Sequence, residues 1–174
     1  MHYLYFVKIK EAKNSEDAKN KAIQVLEQNN FASENNGYFS CSKADWYVIG
    51  GRWSGILQEI KLGINFVKEA YKIVKPKDNF CYTNREIKEN KEKFDTLWKK
   101  FGGVGLSIFD REGEYNGFED DAMILTDEML KNIKNRFVDS DVEVFDYDNF
   151  TELTIKELGK DDVGSWFITI DYHN

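Results

Sequence analysis

Tyr3-Leu4-Tyr5-Phe6-Val7-Lys8-Ile9 is a run of aromatic and branched side chains, the kind a pleated, half-buried strand selects. A short polar break follows, and Ser15 then offers an N-cap, with Glu16 and Asp17 placed where a helix N-terminus favours negative charge. Ala18, Ala22, Val25 and Leu26 recur at helical spacing as far as about Asn29. A strand passing directly into an amphipathic helix is the opening of an α+β domain.

The rest of the chain continues in that manner. Asn29-Asn30 and Asn35-Asn36-Gly37 mark a loop, and two short strands are expected to flank a turn at Gly50-Gly51. Phe66, Ala70, Ile73 and Val74 form the apolar side of a short helix that ends before Pro76, which disfavours helix at the residue before it. Asn84 caps a longer helix striped by Ile87, Phe94, Leu97, Trp98 and Phe101 and stopped by Gly102-Gly103. Residues 104–109 read as a strand turning at Asp110-Arg111-Glu112-Gly113, and 122–125 as another short one. Thr126 caps a helix with Met129, Leu130, Ile133 and Phe137 facing inward. Alternation over 142–147, a helical turn over 154–158 closed by Gly159, and a last strand over 166–172 complete the pattern. The expectation is one α+β domain over 1–174, mostly antiparallel, with about four helices.

Composition bounds the function classes. At 174 residues, with 13 Phe and 9 Tyr, the chain carries ample material for one core. A single proline and no Gly/Ser-rich stretch leave no linker. No apolar run reaches the roughly 18 residues of a membrane span, and the N-terminus has no signal-peptide pattern, so a cytoplasmic protein without a membrane partner is expected. Cys41 and Cys81 lie far from any Cys-x-x-Cys spacing and read as free thiols. The net charge of −7 is unevenly spread: residues 1–100 carry 18 Lys/Arg against 13 Asp/Glu, and 101–174 carry 6 against 18. So acidic a second half is a poor groove for a phosphate backbone, and direct nucleic-acid binding is not expected.

The most unusual segment is Asp45-Trp46-Tyr47-Val48-Ile49-Gly50-Gly51-Arg52-Trp53-Ser54-Gly55. As a ligand site, Asp45, Trp46, Gly50, Gly51, Arg52 and Trp53 would act together. The indoles would stack, the glycines would expose backbone N–H groups, and Arg52 would pair with an anion. As scaffold, the same residues make a tight turn with tryptophans in the core and Arg52 held by an acidic neighbour such as Asp45. Both readings stand open. Walker-loop spacing is absent, so Gly-Gly alone names no phosphate cradle.

In the last strand Phe167, Thr169, Asp171 and His173 share one side. A carboxylate beside an imidazole can orient it for acid–base work, which makes His173 and Asp171 the candidate catalytic residues. The plainer reading is the solvated face of an edge strand. With only His2 and His173 in the chain, a multi-histidine zinc site would need carboxylates to complete it, and neither a metal nor a cofactor is expected. The acidic run Glu119-Asp120-Asp121 reads as a solvated loop.

Asp45-Trp46-x-x-Ile49-Gly50-Gly51-Arg52-Trp53-x-Gly55 resembles a segment of an uncharacterised family of phage and prophage proteins. Asp110-Arg111-Glu112-Gly113-Glu114-Tyr115 and the terminal Ile170-Asp171-Tyr172-His173 are similar to two further stretches of that family. Tyr115 stands where the family tends to have tryptophan, and Asn116-Gly117-Phe118-Glu119-Asp120-Asp121 replaces an aromatic-rich stretch. The resemblance implies a setting and no mechanism. The leading expectation is a phage-type accessory protein that binds a bacterial host protein or a nucleotide-like small molecule, antagonising a defence component or sequestering its signal. The alternative is a small hydrolase or transferase in which His173 is the acid/base, Asp171 orients it and Arg52 stabilises an anion. A third reading is a protein–protein interaction module with no small-molecule site.

Overall fold

The computed structural model describes residues 1–29, 44, 46–75, 77, 84–100 and 121–174, without the side chains at 66, 67, 84, 98 and 100. Asp45, Cys41, Cys81, the strand expected at 104–109, the turn and acidic stretch at 110–115, and Glu119 and Asp120 lie outside the described residues.

The fold is α+β around one mostly antiparallel sheet. Strand β1 (His2–Ile9) leads into α1 (Ser15–Gln28), with Asn14 as N-cap, one residue ahead of the expected Ser15; its side chain accepts from the Asp17 N–H at 2.9 Å. Next come β2 (Trp46–Ile49), α2 (Ile56–Leu62), α3 (Phe66–Ile73), α4 (Asn84–Glu89) and α5 (Lys91–Lys100). The described chain ends with β3 (Ala122–Ile124), α6 (Asp127–Arg136), β4 (Glu143–Asp146), β5 (Thr151–Thr154) and β6 (Trp166–His173). The four helices expected from the sequence are present, the one read over 84–101 being two pieces broken at Asn90. Helix α2 takes the place of the second strand expected beyond the Gly-Gly turn.

The strand order is β2-β6-β1-β4-β5. Among the described strands only β1 and β4 run parallel, with Lys8 opposite Asp146. Strand β6 is therefore interior, not an edge. Its flank away from β1 is shared by two half-strands: Ile170–His173 pair with β2, and Trp166–Ile168 pair with β3. The two halves meet at Thr169, whose O accepts from Gly50 N at 2.8 Å and whose N–H donates to Asp121 O at 2.8 Å.

Alternation gives each sheet face its own core. Tyr5, Val7, Ile9, Tyr47, Ile168 and Ile170 face α1, whose Ala18, Ala22, Val25 and Leu26 are all at most 1 % exposed. Leu4, Phe6, Val144 and Phe167 face α2 and α6, meeting Ile56, Leu57, Ile60, Met129 and Ile133. Each such side chain contributes about 1.5–3 kcal/mol on burial. Among the described residues no helix is long and apolar enough to cross a membrane.

Candidate functional site

The chain leaves the sheet at the junction of the two half-strands. Gly50 and Gly51 take φ of 76° and 52°, a region that costs other L-residues strain. Gly51–Trp53 then form a tight helical turn, and Gly55, at φ 84°, opens α2. Two buried carboxylates support this excursion from the sheet side. Asp171, 1 % exposed, accepts the Arg52 N–H at 2.9 Å through Oδ2. Asp121, 8 % exposed, accepts the Ser54 hydroxyl at 2.9 Å and the Gly55 N–H at 3.2 Å.

The glycines are required sterically as well as conformationally. A Cβ on Gly50 would lie 2.1 Å from Asp121 Oδ2, and one on Gly51 would lie 2.6 Å from Asp171 Cβ. Asp121, which the sequence places in a solvated loop, is thus a buried support of the turn. Its burial follows from β3 pairing with β6, which nothing local announces.

Five backbone donors of the turn are engaged within the protein. Gly50 donates to Thr169, Arg52 to Asp171, Trp53 to Gly50 O, Ser54 to Gly51 O, and Gly55 to Asp121. Anion binding here would fall to side chains rather than to the N–H cradle expected from the glycines. The Arg52 side chain is exposed. Trp53 turns the other way, packing against the α2/α6 core, and its indole N–H is buried without a partner among the described residues. The hydroxyl of fully buried Thr169 is likewise unpartnered there.

Above the turn, three rings share one face in register. Trp46 pairs with His173, and His173 with His2. The Trp46 and His173 rings stack at 5.7 Å between centroids with 1° between planes. His2 meets both edge-on, at 5.1 Å and 5.3 Å. His2 Nδ1 donates to Asp171 Oδ1 at 3.0 Å, fixing the ring and its tautomer. The expected orienting role of Asp171 is therefore directed to His2, a residue the sequence reading left without a role. The Met1 amino group lies 3.0 Å from His173 Nε2.

The structure thus brings Trp46, Arg52, Asp171 and His173 to one end of the sheet, adds His2, keeps Gly50 and Gly51 as the seat of the turn, and packs the partly buried Trp53 against the core. Among the described residues no group of three or more His, Cys, Asp or Glu side chains is placed to hold a metal ion. Compared with protein-family models, curated proteins and solved structures, the chain matches none.

Proposed function

We propose that this protein works by binding, and that the end of the sheet carrying Trp46, His173, His2 and Arg52 takes a nucleotide-like ligand. One observation carries the reading: Asp171 fixes both His2 and the backbone of Arg52, beside the parallel Trp46–His173 stack. A half-exposed stacking surface and an exposed arginine, with the His2 ring and the Arg52 backbone held from below, are the two parts that grip a base and a phosphate. Base-on-aromatic stacking is worth roughly 1–3 kcal/mol per base. The phage-like resemblance of the Gly-Gly-Arg-Trp segment supplies the setting, an accessory protein that sequesters a signal of a bacterial host or antagonises the component that reads it.

The test is titration of a fluorescent ribonucleotide panel against the wild type and the Arg52→Ala and Trp46→Ala variants, with folding checked by circular dichroism. Loss of binding in both folded variants is expected. Undiminished binding by both removes the reading.

A second reading is favoured by the His2–Asp171 hydrogen bond. An imidazole held through Nδ1 by a buried carboxylate presents Nε2 for proton transfer, so the hydrolase or transferase alternative passes from His173 to His2. Turnover of a bound nucleotide, followed by phosphorus NMR and abolished by His2→Ala, separates it from binding alone.

A further inference from the structure

A second cleft lies apart from the sheet end, where the last turn of α2, the first turn of α3 and the end of α6 meet. It holds about 340 Å³, within the range of small-molecule sites. Its polar lining residues are Glu59, Asn65, Lys68, Asn132, Asn135 and Arg136, beside the apolar Ile60 and Ile64.

The lining is rigid at its base. Arg136 Nη1 donates to Ile64 O at 3.2 Å and Nη2 to Glu59 Oε2 at 3.1 Å. Glu59 is only 3 % exposed, so this pair cannot relax into solvent without leaving a buried charge. Asn132 donates through Nδ2 to Ile60 O at 2.8 Å, which orients its Oδ1 as an acceptor. Asn65 caps α3 through Oδ1, accepting the Lys68 N–H at 3.1 Å, which orients its Nδ2 as a donor.

The chemistry of this lining narrows the occupant. Among the described residues no aromatic ring lines the cleft, so a base finds none of them to stack on. Its one carboxylate is engaged by Arg136, so a bare divalent cation lacks the oxygen ligands it needs. With Glu59 and Arg136 cancelling, Lys68 supplies the remaining formal charge, and it is positive. Three carboxamides offer donors and acceptors together, which suits hydroxyl groups.

We propose that this cleft binds a small phosphorylated polyol, its anionic group against Lys68 and Arg136 and its hydroxyls against the asparagines. The inference does not rest on the sheet-end reading, because neither Trp46 nor Arg52 takes part.

The experiment is calorimetric titration of the full chain with ribose 5-phosphate, ribose and inorganic phosphate, with amide NMR mapping of the ribose 5-phosphate complex. Saturable binding of ribose 5-phosphate with shifts at Gly63 and Asn132 is expected, with ribose and phosphate each at least about tenfold weaker. Lys68 and Asn135 are exposed, so Lys68→Glu and Asn135→Ala keep the fold; Lys68→Glu should weaken binding by about tenfold or more, the worth of one hydrogen bond to a charged group, and Asn135→Ala by about threefold to tenfold, the worth of a neutral one. Arg52→Ala should bind as the wild type does. Absence of saturable binding, phosphate binding as tightly as ribose 5-phosphate, or wild-type affinity in Lys68→Glu would each overturn the proposal.

Discussion

Arg52 and Asp171 are joined backbone to side chain across 119 positions, the Arg52 N–H lying 2.9 Å from Asp171 Oδ2. The arginine that the sequence marks as a gripper of anions is itself gripped from beneath by a carboxylate. Arg52 is exposed, and five of the turn's N–H groups, those of Gly50, Arg52, Trp53, Ser54 and Gly55, already have acceptors inside the protein and are not free to form a cradle. The same carboxylate reaches His2, so one buried group holds the His2 ring and the backbone from which the Arg52 side chain leaves.

Removing Asp171 is therefore expected to cost stability as well as site geometry. Asp171→Ala leaves the Arg52 N–H and the His2 Nδ1–H without their acceptor, and a loss of about 2–4 kcal/mol is expected. Asp171→Asn keeps one acceptor oxygen and should lose less. Urea unfolding of both variants checks the order; an Ala variant as stable as the wild type would show that Asp171 is not a support.

The glycines of the turn should be replaceable to very different degrees from a glycine elsewhere with similar backbone. Gly50→Ala and Gly51→Ala combine positive φ with contacts of 2.1 and 2.6 Å to the two carboxylate side chains, and a loss of more than about 3 kcal/mol or failure to fold is expected. Gly164, at φ 92°, has nothing within 4 Å of an added Cβ, so Gly164→Ala should cost only about 1 kcal/mol. Thermal melts of the three variants decide it, and equal losses would mean that backbone strain alone accounts for the turn.

What the sequence disclosed and what it hid divide along a physical line. The α1 face (Ala18, Ala22, Val25, Leu26), the Thr126 cap of α6 and the alternation of β6 are local patterns, readable without knowing what they touch. The interior position of β6, the burial of Asp121 and the pairing of Asp171 with His2 depend on partners 42 to 171 positions away, and no local spacing encodes them. Helix α2 was hidden for another reason: Ile56-Leu57-Gln58-Glu59-Ile60 is short and follows a glycine-rich turn, so it reads equally as a strand. The Gly-Gly-Arg-Trp segment was recognisable as special, but not how its residues divide: Trp53 packs against the core and the glycines seat the turn, while Arg52 is exposed and Trp46 half-exposed.

Thr169 offers a test of what fills the space beneath the turn. Its hydroxyl is buried without a partner among the described residues, a state that costs free energy unless a group there satisfies it. Thr169→Val keeps the shape and removes the hydroxyl, so stability should hold or rise by about 1 kcal/mol. A loss of about 2 kcal/mol or more on denaturant unfolding would show that the hydroxyl has a partner, such as an ordered water.

At the opposite end of β1 from His2, a second polar network predicts how the fold responds to pH. Lys8, 7 % exposed, lies 2.9 Å from Asp146 and is also bonded to Asp162. Burial pulls the Lys8 pKa down, but its hydrogen bonds to Asp162 and Asp146 outweigh that and hold it above the ordinary lysine value. Tyr5 is raised in the same direction, by burial first and then by its hydrogen bond to Glu152. Groups whose folded pKa lies above the unfolded one contribute stability that is complete below about pH 10, and this is lost as pH rises further. Asp146 goes the other way. Burial raises its pKa, but hydrogen bonds from the Asn149 side chain, Lys8 and the Asn149 N–H outweigh it and hold the carboxyl below its usual value. Its contribution is present above about pH 4 and is lost as pH falls below that. Unfolding free energies measured in urea across pH 2–12 should therefore fall at both extremes. Lys8→Met should flatten the alkaline limb, leaving the part due to Tyr5, and Tyr5→Phe should flatten the remainder. An alkaline limb unchanged in both variants would mean that neither residue carries the linkage.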